Sequence, residues 1–437
     1  MIYWAPFLHF YQPPTQFHRI LQKISNESYR PLVKMFLAHP SSKITINMNG
    51  VLTELLSEHC GSDIIDGLRQ LGQNGQLEFV DSAKYHAILP LIPPEEMRRE
   101  ILLNRQVNKR FFKDAYNPRG FFPPEMCYSQ EVAKIVKSLD CEWILLSGIA
   151  SQGAWPMDFI SNISFSGTSI KIFFRDDILS NKISFRNLDS AGFIKELVGL
   201  AKGAGKNDMY VITAMDAETF GHHIQDWEKL FLQEVYETID SIDNVYHHDE
   251  DNQKSGLTEA YKKIFFDLKE IPQIQVVTIS ELLEKFPAKR ARAPSPSSWS
   301  TTKEDLSSKN YYPLWSGGAN SIHGLQWAHL KICTELVEKA LEIKRENKDS
   351  RQFSVIARGI LDRAVHSCQF WWANKERGLW NINMINKGLI LQEEAALNAY
   401  KAINISSISK KMKKAYYRKV TAARDIANKI RDLLITK

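Results

Sequence analysis

The sequence predicts an α/β fold: a closed or nearly closed parallel barrel of βα units over residues 1–286, followed by a linker and an all-helical C-terminal domain over 287–437. Short β-type runs alternate with helix-patterned stretches up to about residue 285, which is the signature of a mainly parallel sheet. Seven or eight such units in that length favour a barrel, with an open doubly wound sheet as the competing arrangement. After Pro287 the pattern changes, first to Pro, Ser and Ala and then to an almost unbroken helical period.

The candidate strands are 2–8, 43–47, 76–80, 119–122, 143–146, 170–174, 210–214 and 275–277. Helical patterns lie between them, at 129–139 and 191–201 among others. In the first of these Val132, Ile135, Val136 and Leu139 recur at helical spacing and make one buried stripe. Residues 243–251 (DNVYHHDED) are acidic and aperiodic and read as an exposed loop. The run PAKRARAPSPSSWSTT at 287–302 reads as linker or surface loop. Helices are predicted beyond it over 327–346, 355–372, 389–403 and 412–435.

With 437 residues, 44% hydrophobic and 24% charged, collagen-like, coiled-coil and disordered readings are excluded. The net charge of +6 is concentrated at the end of the chain, where ten Lys and Arg between 410 and 437 face only Asp425 and Asp432. Aromatic residues among them are limited to Tyr416 and Tyr417, so a solvated helix face is read there and no nucleic-acid partner is expected. No apolar run approaches a spanning length, so no membrane partner is expected either. The start, MIYWAPFLHF, lacks the basic and sustained apolar regions of a signal peptide. Five scattered cysteines without a CxxC pair suit reduced thiols and a cytoplasmic location. Residues 203–206 (GAGK) lack the strand-to-helix setting of a phosphate loop.

Chemistry on a parallel barrel gathers at the carboxyl ends of the strands. Four segments stand out there: His9-Phe10-Tyr11-Gln12-Pro13-Pro14 after the first strand, Glu78 with residues 81–90 (DSAKYHAILP), Phe122-Pro123-Pro124-Glu125, and Asp216-Ala217-Glu218-Thr219-Phe220-Gly221-His222-His223. Two prolines hold the backbone before Glu125, which suits a nucleophile; a helix start is the plain alternative. Asp216 closes an apolar strand, with a helix N-cap as its alternative. Carboxylates on two separate strand ends are what glycoside hydrolysis requires, one to attack and one to protonate the leaving oxygen. A metal is not expected, because His222 and His223 are adjacent and come with no ligand-type spacing. Among the aromatics, Trp299 and the run His366–Trp372 (HSCQFWW) are the better candidates for packing on a sugar face.

These segments, taken in order, resemble the motifs of glycoside hydrolase family 57, the retaining α-glucan-active enzymes. His9 to Pro13 is similar to the first motif, H-x-H-Q-P, with Tyr11 where the second histidine is usual. Residues 76–90 resemble the second, with Glu78 at its acid and His86 in its continuation. Phe122 to Glu125 is similar to the third, although Phe122 and Pro123 stand where tryptophan is common. Asp216 to His222 matches D-x-E-x-F-G-H, and 366–372 looks like the fifth, helical motif. The resemblance implies an incomplete (β/α)7 barrel whose helical C-terminal domain contributes to the substrate cleft, and catalysis without a cofactor or metal. Glu125 would be the nucleophile and Asp216 the general acid/base of a double displacement. His9, Tyr11, Gln12, Glu78, His86, Glu218, His222, Trp299, Gln369 and Trp371 would bind substrate.

The expected activity is hydrolysis of α-glucan or a related α-glycoside, with 4-α-glucanotransfer or branching as the alternative. A metal-dependent polysaccharide deacetylase and a catalytically silent carbohydrate-binding protein are the competitors from other classes. The expected partner is an α-glucan or oligosaccharide, and a homo-oligomer is left open.

Overall fold

The computed structural model describes residues 1–165, 167–204, 208–248, 273–343 and 348–436. The chain divides into two compact bodies: Met1–Gln12, Gln16–Lys84 and Leu89–Trp299 make the first, and Pro13–Thr15, Tyr85–Ile88 and Ser300–Lys437 the second.

Among the described residues ten strands lie in the first body: β1 (Ile2–Phe10), β2 (Ile44–Met48), β3 (Leu77–Val80), β4 (Gly120–Phe121), β5 (Trp143–Ser147), β6 (Ile160–Phe165), β7 (Thr168–Arg175), β8 (Met209–Asp216), β9 (Ile274–Val276) and β10 (Ala288–Arg290). One sheet runs β3-β2-β1-β8, with β9 also on β1, and a second runs β10-β6-β7-β5-β4. Asp81, just past β3, bridges to Phe121 of β4 and joins the two. Seven parallel strands thus follow one another as β8-β1-β2-β3-β4-β5-β7. Between β7 and β8 the links are the Asp176 N–H to the Ile212 carbonyl and the Arg175 Nε to the Ala214 carbonyl. That ring, interrupted at one seam, is the incomplete seven-stranded barrel of the sequence reading.

Alternation along the strands separates two cores. Ile2, Trp4, Leu8, Ile44, Ile46, Phe79, Met209 and Val211 face the surrounding helices. Tyr3, Ala5, Phe7, Val80, Trp143, Leu145, Phe173, Tyr210, Ile212 and Ala214 fill the interior. Gly120 is required by that interior, since a Cβ there would overlap the Trp143 ring.

In the second body the helix Ile382–Ile405 packs against Ser321–Ile343, Lys348–Ala364 and Lys410–Thr436. Ile322, Ile385, Leu389, Ile430 and Leu434 form part of its core.

Three expectations are corrected. The single helix expected over 355–372 breaks after Ala364, because His366 pairs through its backbone with Ala87, and a short helix resumes at Cys368–Trp371. The acidic run 243–251 is helical as far as His248, its last three residues lying outside the described residues. The supposed linker 287–302 belongs largely to the barrel: β10 pairs with β6, and Ser297 pairs with Tyr128. Both β6 and β10 were missing from the expected strands. Among the described residues no helix is long and apolar enough to cross a membrane.

Candidate active site

The alternation that sends Tyr3, Ala5 and Phe7 inward brings His9 inward at the end of β1, and Tyr210, Ile212 and Ala214 do the same for Asp216 at the end of β8. The two residues are register partners, and His9 is also paired with Asn47 of β2. The Asn47 amide nitrogen donates to Asn49 at 3.2 Å, which turns its oxygen toward His9 Nδ1 at 2.7 Å. His9 Nδ1 therefore carries the proton. Burial lowers its pKa to about 4, so the ring is neutral near pH 7. It stacks on Phe122 with 4.9 Å between centroids and lies 6.1 Å from Tyr11, also stacked.

No helix begins at Glu125. Glu125 and Met126 have φ of +58° and +51°, a left-handed pair of non-glycine residues. Such a conformation costs on the order of 1–3 kcal/mol per residue and persists only where its surroundings fix it. Here Met126 and Cys127 donate to the carbonyls of Pro123 and Pro124 at 2.8 and 2.9 Å, and the Trp299 N–H donates to the Glu125 carbonyl at 3.1 Å. The Trp299 indole Nε1–H then holds Glu125 Oε2 at 2.7 Å. Trp299 itself lies under the Arg175 guanidinium, 5.9 Å from its ring centroid. The next helix starts at Gln130, capped by Ser129.

Asp216 caps nothing with its side chain. Two residues on, Glu218 is buried, and its Oε1 accepts from Gln12 Nε2 at 2.7 Å and from the Tyr29 hydroxyl. Tyr29 ends a π-helical turn, Ser25–Tyr29, that grips the whole segment: Ser28 Oγ donates to the Ala217 carbonyl at 2.9 Å, and Glu27 Oε2 lies 2.6 Å from His222 Nδ1.

Crowding by protein, with only partial solvent access, raises all three carboxyl pKa values. Glu125 rises to about 8, through burial and then the Asp216 charge, with the Trp299 hydrogen bond opposing. Asp216 rises to about 6 through burial, with the Arg175 charge opposing. Glu218 rises to about 8 through burial and the Asp216 charge, with Tyr29 and Gln12 opposing. The barrel end therefore holds fewer negative charges than carboxyl groups near neutrality and can both give and take a proton.

Of the expected site residues, the structure gathers His9, Tyr11, Gln12, Glu125, Asp216, Glu218, His222 and Trp299 into this contact network. Glu78 is not among them. It faces the interior two residues below the level of His9, and its carboxylate accepts from Thr45 Oγ1 at 3.2 Å, the Ser280 N–H at 3.0 Å and the Ser280 hydroxyl. It ties β3 to the chain after β9. Gln369, in the second body, is also internal: its amide donates to the carbonyls of Ala364 and His366 at 2.7 and 3.1 Å and accepts from Gln392 at 2.6 Å. His86, of the same body, is fully buried with Nδ1 2.8 Å from Ser367 Oγ, while Trp371 is half-buried against Trp372.

Sequence reasoning missed Asn47, Tyr29 and Arg175. Alternation could have found Asn47 and Arg175, each the inward polar residue at a strand end. No local signal marks Tyr29.

The chain is 26% identical over 297 residues to an α-amylase of Pyrococcus abyssi, covering 64% of this chain and 44% of that one. It is 24% identical over 252 residues to a 4-α-glucanotransferase of Thermococcus litoralis, covering 54% and 36%. The chain thus spans less than half the length of these curated relatives. In fold it is similar to a family 57 branching enzyme of Thermococcus kodakaraensis, with a TM-score of 0.68 at 13% identity over 97% of this chain and 95% of that one. The family model described as glycosyl hydrolase family 57 matches residues 6–294, from the first strand to just beyond β10, and the chain belongs to that family.

Proposed function

We propose that this protein is a retaining glycosidase that acts on α-glucan by double displacement. Glu125 attacks the anomeric carbon and forms a glycosyl ester while Asp216 gives its proton to the departing oxygen; Asp216 then takes a proton from water, which cleaves the ester. The observation that carries this reading is the pair of carboxyls at separate strand ends, Glu125 feeling the charge of Asp216 and locked in a strained turn under an indole N–H donor.

The surroundings suit both halves. Trp299 favours the ionised Glu125 that attack needs. Arg175 favours the ionised Asp216 that the second half needs, and burial favours the protonated Asp216 that the first half needs. Neutral His9 suits a hydrogen-bonding role toward a sugar hydroxyl. Transfer to a second sugar in place of water follows the same steps, and relatives carrying either name support that alternative. The cytoplasm is the proposed compartment, supported by five free cysteines.

The test is incubation with maltooligosaccharides and soluble starch while reducing ends and product lengths are followed. Hydrolysis makes new reducing ends, and transfer redistributes lengths without them. Either should fall on the order of a thousandfold or more in Glu125→Gln and in Asp216→Asn. Turnover that survives both substitutions overturns the proposal.

A further inference from the structure

Among the described residues β7 and β8 share no strand ladder, so the barrel is open at the seam beside Asp216. Side chains make most of the pairing there. The carbonyl of Ala214, two residues before Asp216 and on the same face of β8, accepts from Arg175 Nε at 2.7 Å, and the Ala214 N–H donates to Ser180 Oγ at 3.0 Å. One backbone link completes the seam, from the Asp176 N–H to the Ile212 carbonyl at 2.8 Å. Buried backbone groups need partners, and these three bonds supply what a neighbouring strand would otherwise give.

Arg175 also reaches beyond the seam. Its side chain is 5% exposed, and each guanidinium nitrogen has its own partner: besides Nε on Ala214, Nη1 donates to Asp177 Oδ1 at 2.8 Å and Nη2 to Asn181 Oδ1 at 2.8 Å, both in the helix Asp177–Ser184. Asp177 is anchored in turn by the Ser147 hydroxyl at 2.8 Å and by the Ile149 N–H at 2.9 Å, at and just past the end of β5. With three directions taken the guanidinium plane cannot turn, and its face lies over the Trp299 ring, whose N–H holds Glu125.

We propose that Arg175 is a positioning residue of the reaction: by closing the seam with its side chain it fixes the end of β8, and with it Asp216, against the indole that holds Glu125. This rests on the reading of Glu125 and Asp216 as the reacting pair. Glu125 follows β4 and Asp216 ends β8, with β1, β2 and β3 between them on one side of the ring and β5, β7 and the seam on the other. No ladder joins them directly. The path through Arg175 is short, from the Ala214 carbonyl through one guanidinium to the Trp299 ring. Lysine carries the same charge without the planar face or the fork, so charge alone does not reproduce the part.

Arg175→Lys keeps the cation and loses the fork, while Ser180→Ala removes the other side-chain bond of the seam and leaves Arg175 in place. In hydrogen exchange on the full chain, the amides of residues 212–216 should exchange about tenfold or more faster in both variants, with those of β2 as protected as in the parent. The Trp299 indole N–H signal of nitrogen-15-labelled protein, assigned with Trp299→Phe, should move in Arg175→Lys and stay in Ser180→Ala. Kinetics are compared on maltooligosaccharide and on an aryl α-maltoside whose phenol departs without a proton. In Arg175→Lys kcat/KM should fall on the order of a hundredfold on the first and only about tenfold on the second, where departure does not need Asp216. Ser180→Ala should show the same split on a smaller scale, so the test holds even where Arg175→Lys does not fold. If exchange and the indole signal change as stated but the parent turns over neither substrate, the seam role stands and the proposed activity falls. If turnover depends on Glu125 and Asp216 while exchange at 212–216 stays at the parent's rate, or while both substrates are lost alike, the inference is overturned.

Discussion

At the scale of single residues, the Glu125 turn poses the sharpest question: why hold two consecutive residues left-handed when glycine would cost less? Glycine has no carboxylate, and the turn exists to aim one. Trp299 is the other half of that device, bound to both the carbonyl and the side chain of Glu125. Trp299→Phe keeps the ring and removes the indole donor. A hydrogen bond to a charged group is worth about 1.5–3 kcal/mol, so kcat should fall about ten- to a hundredfold. The sign of the pH effect is also fixed. Without the donor the ionised Glu125 is less favoured, its pKa rises above about 8, and the acid limb of the rate profile moves to higher pH. A Trp299→Phe profile that is lower but unmoved would show the ring packing to matter and the hydrogen bond not.

At the scale of elements, the β8-to-helix segment and the turn 25–29 behave as one part. Gly221 has φ of +102°, and a Cβ there would run into the Glu27 carbonyl. Gly221→Ala therefore meets both a backbone conformation that alanine resists and a main-chain collision. A loss of about 2–4 kcal/mol in urea-induced unfolding is expected, together with loss of activity from a misplaced Asp216. Stability like that of the parent would mean that the turn can back away. What was legible in the sequence follows from which signals are local. The β-type runs 2–8 and 210–214 placed His9 and Asp216 beside strand ends, because strand composition is a property of consecutive residues. The depth of Glu78 in the barrel, level with Thr45, was not legible, because depth along a strand depends on register against its neighbours, which only pairing fixes. β10 hides in a Pro- and Ser-rich run because an edge strand of three residues needs only a few backbone hydrogen bonds from β6. Tyr29 meets a carboxylate 189 residues away, and nothing in its own surroundings in the sequence announces that partner.

At the scale of the whole molecule, the groups that serve the site also shape how stability depends on pH. Buried histidines act on the acid side. His9 and His323 have pKa values lowered by burial to about 4, and His366 to about 3, so each is neutral in the folded chain where the unfolded chain already binds a proton. Their contribution is intact above about 6.5 and is lost as pH falls toward 4. The site carboxyls act on the alkaline side with the opposite sign. Glu125 rises from 4.5 to about 8, so the folded chain holds a proton that the unfolded chain has released; its contribution is present below about 4.5 and is lost as pH rises toward 8. Glu125→Gln makes that position neutral at every pH. Its thermal midpoint should match that of the parent near pH 4.5 and exceed it by a widening margin of several degrees up to pH 8, with no further gain above. The measurement is a series of melts of both proteins in matched ionic strength. A margin that stays constant across the range would mean that Glu125 titrates as an ordinary carboxyl, and a margin that narrows would mean that its ionised form is the one the fold prefers. The widening margin is the outcome expected of a carboxyl kept for chemistry at a cost in stability, because the surroundings that strain and crowd Glu125 are the same ones that ready it to attack.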